Sequence, residues 1–135
     1  MDIKQFVSEN NLEKCKNLID AKELDIIEKE IGIKFGAELK KYILEYGYLA
    51  YKHIELYGIN SKQGNKSDMI KQTLYLHKYF PKTANYIAIE NQGEGDYYIV
   101  DSNDNVYRYI SEQDKIIDTQ FKLFKYIESR FLEIF

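Results

Sequence analysis

The sequence predicts one mixed domain in which helices pack against an antiparallel meander. Two observations carry this. Apolar residues recur at helical spacing through the first third of the chain and again at its end. Between Tyr86 and Ile110, three short aromatic and β-branched runs are separated by Asn-, Asp- and Gly-rich turns. At 135 residues and 44% apolar, with 13 Tyr and 7 Phe, the chain can bury a substantial core. No linker, repeat or low-complexity stretch divides it, so residues 1–135 read as a single domain.

Leu12, Cys15, Leu18 and Ile19 recur with helical period and predict a first helix. Asp20 and Glu23 form a capping-box-like pair ahead of Leu24, Ile27 and Ile31, with Gly32 as the stop. Ala37 to Tyr46 places Leu39, Tyr42, Ile43 and Tyr46 on one stripe that ends at Gly47, completing a helical hairpin around Ile33-Lys34-Phe35-Gly36. Beyond Gly47 the period changes, and Tyr48 to Tyr51 and His53 to Ile59 read as strands before a loop from Gly58 to Gly64. Ser67 is placed to cap a helix with Ile70, Leu74 and His77 on its apolar face, closed by Pro81. The meander follows as Tyr86–Ile89, Asp96–Val100 and Val106–Ile110, turning at Gln92–Gly95 and Ser102–Asn105. A last helix, capped by Asp118 or Thr119, presents Phe121, Phe124, Ile127, Phe131 and Ile134, a stripe broad enough to cover the sheet.

Several functional classes lack support. A net charge of −3 and a pI near 5.5 disfavour direct nucleic-acid binding, which needs Lys and Arg to neutralise phosphates. The apolar runs are too short to span a membrane and the N-terminus lacks a signal pattern, so a cytoplasmic location is expected. Cys15 stands alone and reads as a packing residue, while His53 and His77 have no motif around them. No nucleophile elbow, zinc-binding His pair or phosphate loop is present, so no enzyme, cofactor or metal site is expected. Asp101-x-Asn103-x-Asn105 with Glu112 imitates a calcium loop, but Val106 occupies the position that needs glycine, and an Asx hairpin is the better account.

The most informative functional signal is charge segregation. From Thr83 to Tyr107 there is no Lys or Arg, but there are Glu90, Glu94, Asp96, Asp101 and Asp104. Carried on strands and tight turns, these carboxylates are expected to form an acidic sheet rim for a basic partner, with Glu90, Glu94, Asp96 and Asp104 at the contact and Tyr97 or Tyr98 as the aromatic anchor. Tyr48 and Tyr51 are weaker candidates of the same kind.

Glu28-x-x-Ile31-Gly32-x-x-Phe35, followed by Leu39-Lys40-x-Tyr42-Ile43 and Gly47, resembles the helical opening of the SUKH superfamily. This group includes yeast cell-wall-assembly regulators and bacterial toxin-immunity proteins. The Ile54–Gly58 strand, Ile87-Ala88-Ile89 to Gly95, Tyr98–Asp101 with Val106-Tyr107, and a terminal helix opening near Phe121 follow in the family's order. Gly36, where the family usually has Pro, and the lack of Trp depart from its pattern. The resemblance implies an α+β domain with a mostly antiparallel sheet. It also implies a protein that binds and neutralises a cognate toxin domain, often a basic nuclease, by occluding its active site. The alternative within the family is a regulatory or scaffold domain that recruits partners without inhibiting them.

Overall fold

The computed structural model describes residues 3–61 and 68–132. Among these the chain forms five α-helices and two antiparallel sheets of three and four strands, the α+β arrangement expected. In chain order the elements are α1 (Ile3–Glu9), β1 (Glu13–Lys14), α2 (Ala21–Ile31), α3 (Ala37–Tyr46), β2 (Leu49–Tyr51), β3 (Ile54–Leu56), α4 (Asp68–Tyr79), a 3₁₀ turn (Pro81–Thr83), β4 (Ile87–Asn91), β5 (Asp96–Val100), β6 (Asn105–Ile110), β7 (Lys115–Lys122) and α5 (Leu123–Leu132). The small sheet runs β1-β2-β3 and the large one β4-β5-β6-β7. A 2.7 Å bond from the Tyr57 amide to the Ile89 carbonyl joins them.

The large sheet separates two cores. Ile87, Ile89, Val100 and Val106 face Phe6, Leu39, Ile43, Ile127 and Phe131 from α1, α3 and α5. Side chains alternate across a strand, so Ala88, Tyr97, Ile99 and Tyr109 face the other way, toward Leu76 of α4. The bulge between Ala88 and Glu90 interrupts this alternation and turns both Ile89 and Glu90 toward α5.

Local sequence explains several boundaries. The Asp20 carboxylate accepts from the Glu23 amide at 2.9 Å, as the capping pair predicts, and Gly32 and Gly47 end α2 and α3. The link between those helices is held by Glu28, which accepts from the Phe35 amide at 2.7 Å and lies 3.6 Å from Lys40 Nζ. This accounts physically for the Glu28-to-Phe35 motif.

Other expectations are corrected. Leu12 to Ile19 is not helical. The helix lies earlier, at Ile3–Glu9, and Asn11 at φ 51° ends it. The Cys15 amide then bonds to the Tyr46 carbonyl at 2.9 Å, so Leu12, Cys15 and Ile19 are buried from an extended segment and mimic helical spacing. On α4 the buried stripe is Met69, Ile70, Thr73 and Leu76, leaving Leu74 exposed. Strand β7 and its bulge were unanticipated. Phe121 belongs to β7, Thr119 Oγ1 donates to the Val106 carbonyl at 2.7 Å, and neither Thr119 nor Asp118 caps α5. Ser67 and Ile134, and the later part of the Gly58 to Gly64 loop, lie outside the described residues.

The caps of α3 and α5 come from distant sequence. Gly36 at the N-cap of α3 offers no side chain, and Asp104 accepts from the Glu38 and Leu39 amides at 2.9 and 3.0 Å. In return Glu38 Oε1 accepts from the Phe124 amide at 2.8 Å, at the start of α5, while the Leu123 amide bonds to the Asp104 carbonyl at 2.9 Å. Asp104→Ala removes the cap and strands two amide donors, so denaturant unfolding should show a loss of about 2–3 kcal/mol. Phe131, fully enclosed, should cost about 3–5 kcal/mol as Phe131→Ala. Phe124→Ala should cost clearly less, because Phe124 is only half-buried. Equal losses at the two positions would contradict the orientation of α5.

Candidate partner-binding surface

The run without Lys or Arg does not form one acidic rim in space. Glu90 is 2% exposed, and its carboxylate accepts from Arg130 Nε at 2.9 Å and Nη2 at 2.7 Å and from the Tyr126 hydroxyl. Asp104, 5% exposed, is the cap of α3. Asp96 is half-buried and paired with Arg108 Nε at 2.7 Å on the neighbouring strand. Asp101 is filled by its own turn, accepting from the Asn103 and Asn105 amides at 2.9 Å each, the Asn105 side chain and the Tyr107 hydroxyl. The expectation that Glu90 and Asp104 stand exposed is therefore corrected. Arg108 and Arg130, both outside the run, fold back onto it, and a buried carboxylate needs such partners.

Exposed acidity remains at one end of the large sheet. Glu94 sits at φ 53° in the β4–β5 turn. The β6–β7 turn is tied beside it, with the Ser111 amide and hydroxyl both donating to the Gly95 carbonyl at 3.0 Å. A Cβ on Gly95 would lie 2.1 Å from Ser111 Oγ, and its φ of 78° also favours glycine, so the two turns can be this close only with glycine there. Glu112 and Asp114 thus share the rim with Glu94, and Asp114 holds the Tyr109 hydroxyl at 2.6 Å. Of the expected aromatic anchors, Tyr97 is buried under α4, whereas Tyr98 is half-buried and stacks on Tyr126 with centroids 5.2 Å apart. Tyr98 also lines an open groove of about 260 Å³ with Gln92, Phe121, Tyr126 and Arg130.

The carboxylates of a second acidic surface had no signal in the sequence. The register Glu13↔Ala50↔Glu55 puts two carboxylates on one face of the small sheet, on either side of an alanine. Tyr48 donates to Glu13 at 3.0 Å, and with Asp68 these residues line a groove of about 260 Å³. Strand pairing brings Glu13 and Glu55 together from distant parts of the chain, and Asp68 joins them from the start of α4. The Tyr48 to Tyr51 segment was the sole pointer to it.

Elsewhere the chemistry is structural. His77 Nε2 lies 2.8 Å from the Tyr86 carbonyl, and Cys15 is buried. Among the described residues no three His, Cys, Asp or Glu side chains converge as a metal site, and no helix is long and apolar enough to cross a membrane.

The family model SUKH_5, described as SMI1-KNR4 cell-wall, matches residues 3–132, nearly the whole chain. The chain belongs to the SUKH superfamily. Its members are generally non-enzymatic immunity or regulatory proteins, and this member fits either role. No curated protein matches the chain.

Several tyrosines of this domain are buried or half-buried. Tyr42, Tyr57, Tyr109 and Tyr126 are all pushed above the ordinary phenol range, burial being the largest cause in each; beside Tyr126 the Glu90 carboxylate adds to it. Because these values are raised in the fold, the unfolded chain binds fewer protons above pH of about 10. Stability is thus complete below that pH and falls as pH rises through the folded values. In an alkaline titration, part of the phenolate absorbance should appear only together with loss of the far-ultraviolet circular dichroism. Ionisation of every tyrosine in one reversible step, with the fold intact, would contradict this burial.

Proposed function

We propose that this SUKH domain is a cytoplasmic immunity protein that binds a cognate bacterial toxin domain, a basic nuclease, and neutralises it by covering the active site. Family membership supports the binding role. The observation that carries the partner's charge is the rim of Glu94 and Glu112, held on two turns locked together through Ser111 and Gly95, with the neighbouring Asp114 engaged by Tyr109 and Lys82. A nuclease cleft is positive where it grips phosphates, and carboxylates on rigid turns meet it with little entropy to lose. In this reading Glu94 makes the first contact, and Asp96 is the next carboxylate available, by exchanging Arg108 for a partner's cation. Tyr98 supplies the ring that slows dissociation, while Tyr97 anchors the strand from the opposite face, under α4. Glu90 and Asp104 act from within by fixing the strands that carry the rim.

The cell-wall wording of the matching family favours a second reading, a regulatory domain that recruits partners without inhibiting them. Protection of toxin-expressing cells by the parent protein separates the two, and Glu94→Lys with Glu112→Lys tests the rim. Both side chains are exposed, so melting temperature should stay near the parent's. Association with the toxin domain should slow about tenfold or more at low salt, and the gap should narrow at high salt. Cells co-expressing the toxin should lose protection. A double variant that binds and protects like the parent would remove the rim from the interface.

A further inference from the structure

We infer that the solvent face of α4 is a separate docking surface for an acidic protein partner, one presenting carboxylates beside an apolar ridge. The inference does not rest on the toxin reading. α4 opens on an exposed Asp68, but from Met69 to Ile89 there is no Asp or Glu, and the charged side chains there are Lys71, Lys78 and Lys82. The buried stripe of α4 is already complete with Met69, Ile70, Thr73 and Leu76. Yet a second apolar stripe faces water: Leu74 is 49%, Tyr75 44% and Tyr79 56% exposed. Spacings of three and four residues interleave it with Lys71 and Lys78 on one side of the helix. Packing of the domain does not require these side chains.

The face is also ordered. Tyr75 and Tyr79 pack with centroids 5.0 Å apart, Tyr75 meets Phe80 at 6.3 Å, and Phe80 meets the buried Tyr109 edge-on at 5.5 Å. Lys78 Nζ lies 5.2 Å from the Tyr79 ring centre. The exposed rings are therefore braced against the sheet, so little rotamer entropy is lost when they are covered, the property that makes tyrosine an interface anchor. Lys82 is held by Asp114, at 2.9 Å from its carbonyl and 3.7 Å from its carboxylate, so the sign of the surface is set by Lys71 and Lys78, which outnumber Asp68 one turn before Lys71.

That sign selects the occupant. A basic nuclease cleft is repelled here, so the partner is not the one engaged by Glu94 and Glu112. A symmetric pair of copies would set two lysine-bearing faces of the same sign against each other. A nucleic acid would meet lysines without any arginine, rings locked against one another, and a chain of net charge −3. An acidic protein surface satisfies both the lysines and the apolar stripe.

The probes are three: a short peptide alternating Glu with Leu and Tyr, the same peptide with Lys for Glu, and a single-stranded oligonucleotide. Each is titrated into isotope-labelled protein while backbone amide shifts are followed. The acidic peptide should move amides between Lys71 and Lys82, the lysine peptide should not, and Kd should weaken about tenfold in both Lys71→Glu/Lys78→Glu and Tyr75→Ala/Tyr79→Ala. Both variants change exposed positions, and an unchanged melting temperature confirms that the loss is in binding. The inference is overturned if the acidic peptide leaves α4 unmoved, if the oligonucleotide moves it instead, or if sedimentation shows the chain associating with itself through this face.

Discussion

The exchange of caps between α3 and the sheet is the constraint on which the rest depends. A helix start leaves amide donors without partners, and Gly36 has no side chain to offer them. Asp104 supplies the acceptors from a hairpin turn 65 and 66 residues away in sequence, so α3 is completed only once β5 and β6 have paired. Glu38, in the first turn of α3, then accepts from the Phe124 amide of α5. The start of each helix is thereby fixed to the other through one turn of the sheet. Gly36 follows from this geometry: a Cβ there would lie within 2.3–2.5 Å of the Asp104 carboxyl atoms. The missing side chain at Gly36 leaves room for the cap.

On the same side of the sheet, Glu90 and Arg130 position α5 over β4. Their burial is not a large net source of stability, because removing two charges from water offsets most of their attraction. Its effect is on alternatives. If α5 slid along the sheet, Glu90 would lose both Arg130 and Tyr126 in a nearly dry site, and an unpaired buried carboxylate costs several kcal/mol. The apolar packing of Phe131 and Ile127 attracts α5 to the sheet without specifying register. The charged pair and the Glu38 cap specify it.

How much of this was legible depended on the range of the interaction. The Asp20 cap, the Gly32 and Gly47 stops, the α3 stripe and both meander turns rest on residues within a few positions of one another, and periodicity found them. The α1–β1 region failed because Leu12, Cys15 and Ile19 bury at spacings a helix would also give; the decisive fact, a Cys15 amide bonded to Tyr46, is long-range. Strand β7 failed because its partner supplies its order: its side chains are mostly exposed, so it shows no hydrophobic alternation. On the candidate surface, the exposure of Glu94 was legible because a turn tip is solvated wherever the fold places it. Glu90 and Asp104 were misjudged, since a carboxylate's exposure depends on which cation or helix end comes to meet it. The faint local hint was Asp104 in a turn, where Asp tolerates its φ of 65°.

Charge order along the chain and charge order on the surface therefore differ in a definite way. The acid-only run is consumed largely by the fold: Glu90 by Arg130, Asp96 by Arg108, Asp101 by its own turn and Asp104 by α3. The preceding acid-free run keeps Lys71 and Lys78 at the surface, because a helix with one buried stripe leaves its opposite side to water. What stays exposed is the residue of that internal pairing: Glu94 and Glu112 at the turn end of the large sheet, Glu13 and Glu55 across the small one, and a lysine–tyrosine face on α4. Partners of opposite sign can be held at separate places on one rigid domain, since the carboxylates that would have blurred the pattern are neutralised inside it.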